Sequence, residues 1–129
     1  MVSGNTQSYT VERNIFLLKF ASDGTLLRSE WIQQDNSGLT KEILATADGG
    51  FISGGSSHSL MTGTNDIQVI KFDSNGDIEW DALYGGSANE FGNCIAESND
   101  GGFILGSQTR SYGAQTTANL SLIKITSTG

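Results

Sequence analysis

The chain has 129 residues, of which 17 are glycine, none is proline and only 16% are charged; this suits one compact unit with a modest core and a turn-rich all-β composition. A formal net charge of −7 with no basic patch argues against nucleic acid and against an anionic membrane surface as partners. The lone cysteine, Cys94, excludes an internal disulfide and a cysteine-built zinc cluster, and no apolar run approaches the ~20 residues that a membrane-spanning helix needs.

The N-terminal stretch MVSGNTQSYTVERN has no basic-then-apolar signal pattern and reads as irregular, with Tyr9 inside it. Two strands are expected at about 14–20 and 25–33. A fuller set follows from residue 39. LTKEILATA is a first strand, Asp48-Gly49-Gly50 a hairpin turn, and GFISGGS a second strand. Asp-Gly between apolar runs is a strong hairpin signal because the turn needs positive φ. A Ser/Thr/Gly-rich loop over 56–65 carries His58 and Met61. IQVIKF is the third strand, Ser74-Asn75-Gly76 the turn, and DIEWDALYGG the fourth. FGNCIAESN, a second Asp-Gly-Gly turn at 100–102, GFILGSQT, a loop over 108–118 with Arg110 and Tyr112, and a strand at about 119–126 complete the chain. Cys94 sits in an alternating run and is expected as a buried, inert thiol.

The chain repeats itself. NIFLLKFASDG (14–24), DIQVIKFDSNG (66–76) and NLSLIKITSTG (119–129) align without gaps, and DGGFISGG (48–55) matches DGGFILGS (100–107) at the same offset. Two motifs recurring at one period of about 50 residues, with several strands per period, point to a propeller. The predicted fold is all-β, with antiparallel four-stranded blades of a β-propeller in a single unit spanning 1–129. The segment holds about two and a half blades: a partial blade at about 14–33, a full blade at about 39–84 and a partial blade at about 91–126.

Each recurring lysine (Lys19, Lys71, Lys124) shares a strand face with two aliphatic residues. A stem covering apolar surface, with the ammonium at water or a carboxylate, accounts for all three.

Asp73, Asn75 and Asp77 place oxygen-bearing side chains at alternate positions, as the first half of a calcium loop does. The sister positions do not keep this set: they are Ala21, Asp23 and Thr25 in one copy, and Thr126 and Thr128 in another. Only the glycine recurs, and the twelfth loop position is Tyr84 where an EF-hand needs Glu. A hairpin turn is expected, with no metal and no cofactor.

His58 is the only histidine, and no G-x-S-x-G elbow accompanies it. Carboxylates are scattered (Glu30, Asp35, Glu42, Glu90, Glu97), while Asp77, Glu79 and Asp81 alternate on one solvated strand face. Trp31, Phe51, Trp80, Tyr84, Phe91 and Phe103 are expected as packing between sheets. That leaves Tyr9, His58, Met61, Arg110 and Tyr112, all in irregular segments, as candidate contacts for a ligand or partner.

The pattern DGGFILGS, then D-I-x-V-I-K-F-D-x-N-G-D-I-x-W, then YGGS resembles bacterial β-propeller repeats found in many copies in large secreted and surface proteins. The resemblance covers essentially the whole chain. It implies a non-enzymatic structural or adhesive module at an extracellular or cell-surface location. Its partners would be further repeats of the same chain or another protein, with a glycan as a further candidate. A lectin-like propeller and an accessory domain of an extracellular hydrolase are the alternatives. Unpaired edges at 14–20 and 119–126 are expected to demand a partner strand or drive polymerisation. Pooling the ends of two copies supplies the third strand of a blade twice, so a simple closed homo-oligomer is not expected.

Overall fold

The computed structural model describes residues 2–7, 13–32, 37–59, 62–113 and 117–129. Ten strands form: β1 (Val2–Gln7), β2 (Arg13–Phe20), β3 (Leu26–Ile32), β4 (Ser37–Ala45), β5 (Phe51–His58), β6 (Asn65–Phe72), β7 (Ile78–Tyr84), β8 (Glu90–Glu97), β9 (Phe103–Thr109) and β10 (Asn119–Ile125). They make three antiparallel sheets in the orders β1-β2-β3, β4-β5-β6-β7 and β10-β9-β8. No helix occurs among the described residues.

The middle sheet follows the sequence pattern strand by strand. Gly49 and Gly101 close the Asp-Gly turns with φ of 86° and 78°, a region that a side chain disfavours. β1 was not expected. It pairs with β2 from Val2↔Leu18 to Gln7↔Arg13 and occupies the place that β5 holds beside β6. The segment at 14–20 is therefore flanked on both sides and is not an open edge, whereas β10 has β9 as its one partner among the described residues.

Alternation gives each strand two faces, and β6 buries both. Ile67 and Val69 pack with Ile52 against Ile95, Phe103, Leu105 and Ile125 of the third sheet. On the other face, Ile70 and Phe72 pack against Ile15 and Leu17 of the first. The sheets thus lie face to face, with the middle one covered on both sides. The closest backbone approach to the following sheet falls on its first strand, β4 or β8. There the backbones come very close: a Cβ on Gly92 would lie 2.2 Å from the Gly55 carbonyl oxygen.

Polar ties reinforce the same joints. Lys19 donates to the Ser74 carbonyl and Arg28 to the Asn75 carbonyl in the turn of the next sheet. One repeat later, the Trp80 indole donates to the Ser127 carbonyl at 3.1 Å. Glu42 accepts the Ile95 N–H at 2.8 Å, and Glu97 accepts the Ala47 N–H at 2.9 Å.

Cys94 departs from expectation: it is exposed. It occupies on β8 the place that Glu42 holds on β4. Among the described residues, no sheet covers that face of β8 to bury it.

Candidate functional site

A cleft of about 370 Å³ lies between the second and third sheets. Leu83 and Tyr84 from the end of β7, Glu90 from the start of β8, Thr109 from β9, Tyr112 from the loop and Ser121 and Ile123 from β10 line it. The end of the second sheet thus meets all three strands of the third.

Glu90 lies at its base, 1% exposed. The hydroxyl of Thr109 donates to Oε1 at 2.9 Å and the N–H of Ser111 at 3.1 Å, while the N–H of Gly86 donates to Oε2 at 2.8 Å. Burial pushes its carboxyl pKa up, but the hydrogen bonds from Ser111, Gly86 and Thr109 outweigh burial and hold it below the ordinary glutamate value. Asp66 shows the opposite balance. Burial first, and then the charge of Glu90, raise its pKa above the ordinary aspartate value. Both acids converge on Gly85, where an added Cβ would lie 2.0 Å from Asp66 Oδ1 and 2.9 Å from Glu90 Oε2. Glycine there is what leaves room for both carboxylates.

The remaining wall is aromatic and hydroxylic. The Tyr84 hydroxyl is buried with no hydrogen-bond partner among the described residues, and burial raises its pKa. Tyr112 is 62% exposed, and its hydroxyl donates to the Gly85 carbonyl at 3.3 Å, which holds the ring at the mouth. An anchored, exposed ring beside hydroxyls and a carboxylate suits a polyol, which offers C–H faces to the ring and hydroxyls to the polar atoms. Glu90 is already held at both oxygens, which suits a fixed acceptor better than a proton carrier.

The residues singled out in the sequence are dispersed. Tyr9 and Met61, and Asp35 among the acids, lie outside the described residues. His58 ends β5, half-buried, opposite Ser37 and Asn65. Arg110 is exposed, and its backbone N–H donates to the Asn89 carbonyl at 3.0 Å. Of the candidates among the described residues, Tyr112 alone reaches the cleft. Tyr84, expected as packing, and Glu90, one of the scattered acids, also line it. The Gly85-Gly86 pair next to Tyr84 was the available signal that backbone and acid meet there.

The oxygens at 73–77 serve the turn. Asp73 Oδ1 accepts the N–H groups of Asn75, Gly76 and Asp77 at 2.8, 2.8 and 2.9 Å. These bonds, that from Asp77 foremost, lower its pKa. Asp77 turns instead to Arg28 of the first sheet, at 2.7 Å. Glu79 also has a partner: Lys71, whose side chain is 3% exposed, sits 2.9 Å from Glu79 and 2.8 Å from Asp48. Burial works against the Lys71 charge, but the two carboxylates prevail and raise its pKa. Hydrogen bonding from Lys71 and Lys124 holds Asp48 and Asp100 well below the usual carboxylate range.

The expected packing role holds for Trp80, tilted on Phe103 with ring centroids 6.3 Å apart. Trp31 instead lies 68% exposed, with Phe16 at its side.

No family model matches the chain, and a search of curated proteins returns no match.

Proposed function

We propose that the chain is a non-enzymatic structural or adhesive module of β-propeller repeats in a secreted or cell-surface protein, and that its three sheets are successive blades. One observation carries this reading: a single sequence repeat makes sheet after sheet, and each clasps the turn of the next through the same strand positions. Arg28 and Trp80, 52 residues apart, both donate to that turn, at the Asn75 and Ser127 carbonyls respectively. Side chains with chemical potential, such as Asp73, Asp77, Lys71 and Glu42, are spent on turns and joints. Surfaces of this kind extend by adding repeats, either from the same chain or from a partner.

The test is protease treatment of intact source cells, with an antibody against the chain. Loss of the epitope without lysis is the expected result. Protection until lysis refutes the extracellular assignment.

The cleft favours a second reading, glycan binding. Tyr112 would stack on a sugar face, while Ser121 and Glu90 define its polar side. A glycan array probed with the chain and with Tyr112→Ala decides the matter. Signals lost in the variant support this reading, and an array blank for both discards it.

A further inference from the structure

We propose that copies of this chain join head to tail, the uncovered face of the third sheet of one copy seating the uncovered face of the first sheet of the next. The inference rests on the repeat-module reading and specifies sheet faces, not strand edges, as the contact. Each sheet has a leading face, carrying the recurring lysine, and a trailing face behind it. Inside the chain, a leading face meets a trailing face twice. Ile15 and Leu17 are 2% exposed against the second sheet, and Ile67 and Val69 are 0% exposed against the third.

Among the described residues, one face of each kind is left over. The leading face of the third sheet presents Leu120 and Leu122, 81% and 72% exposed, beside Ile104 and Cys94. The trailing face of the first sheet presents Phe20 and Leu26 with Trp31, the last tilted against Phe16. The two patches are the same two surface types that already pack together twice in the chain, so the occupant each fits is the other.

Side-chain size follows the same logic. The first sheet has no counterpart of β4 or β8 among the described residues, so a joint formed on it leaves more space to fill. Phe16 and Trp31 stand where the middle sheet has Gln68 and Leu83, and Leu120 and Leu122 stand where it has Ile67 and Val69. The larger side chains at three of these four places, and an isomeric one at Leu120, reach across that space. Because the joint is heterologous, it either closes a ring or runs on as a filament.

The experiment uses the full chain. Light scattering after size exclusion, over a hundredfold concentration range, is expected to show mass above that of a single chain and rising with concentration. Leu120→Lys with Leu122→Lys blocks the leading face, and Leu26→Lys with Trp31→Lys blocks the trailing face. Each variant alone is expected to run at single-chain mass, and an equimolar mixture at twice that mass, because one intact face of each kind remains.

Circular dichroism checks that the variants fold. If either does not, the wild type still reports: alkylation of Cys94 by iodoacetamide is expected to slow several-fold from the lowest to the highest concentration. Single-chain mass throughout with constant alkylation overturns the inference. So does a mixture that stays at single-chain mass, or association abolished by only one variant, which would mean like faces pair. None of these outcomes bears on whether the chain is exposed on intact cells, so the repeat-module reading stands or falls separately.

Discussion

Replacing Gly92 by alanine should pry the second and third sheets apart. The new Cβ would lie 2.2 Å from the carbonyl oxygen of Gly55 and 3.1 Å from Cγ2 of Ile67. An ordinary close carbon–oxygen approach is about 3.3 Å, so the shortfall is about 1 Å. Backbone oxygen cannot swing away as a side chain can, and β5 is hydrogen-bonded on both sides, to β4 and β6. The strands β5 and β8 must therefore separate. A gap of about 1 Å forfeits up to roughly half the dispersion attraction of the atoms that it parts, here those joining Ile52, Ile67 and Ile95. Overpacking of this kind costs about 2–3 kcal/mol.

Gly54→Ala is the control. Its Cβ would meet the Ile95 side chain at 3.3 Å, a contact that can relax, so about 1 kcal/mol or less is expected. Urea unfolding followed by circular dichroism measures both. If Gly92→Ala costs no more than Gly54→Ala, the two backbones do not approach as described and the face-to-face joint is wrong.

Gly49→Val and Gly101→Val should each cost about 1–2 kcal/mol, because valine resists the positive φ of the turn; Asp77→Ala, at an exposed ion pair, should shift the urea midpoint far less. Excess EDTA should leave the melting temperature unchanged, and a drop restored by calcium would show that Asp73, Asn75 and Asp77 bind an ion. Lys71→Ala should cost about 2 kcal/mol through loss of its buried stem, and Lys71→Met should recover most of that, since Asp48 and Glu79 can rehydrate; equal losses would show that the charge carries the effect. Glu90, depressed in the fold, contributes stability that is present above its unfolded value near 4.5 and lost as pH falls through the folded one, so Glu90→Gln should destabilise at pH 7 and flatten that acid limb. Asp66, raised in the fold, costs stability as pH climbs past 3.8, so Asp66→Asn should raise the midpoint at pH 7, and a lower midpoint would refute the assignment.

The strands of the middle sheet could be read directly because their signals are local. Asp-Gly turns and period-two alternation act over a few neighbouring residues, and the repeat supplied independent copies of each. The turn at Asp73 was legible for the same reason: the sister copies keep the glycine, at Gly24 and Gly129, but not the Asp-x-Asn-x-Asp set. β1 was not legible, since VSGNTQ has no apolar alternation and becomes a strand only by pairing with β2. Cys94 carries the same alternation as buried residues, yet whether a face is covered depends on which sheet lies against it. The cleft was hidden for a related reason. Tyr84, Glu90 and Tyr112 belong to separate elements, and sequence spacing does not encode the stacking that brings the end of one repeat onto the start of the next. Local chemistry sets strands and turns, but burial and convergence are properties of pairs of sheets, and these exist only once the chain has stacked.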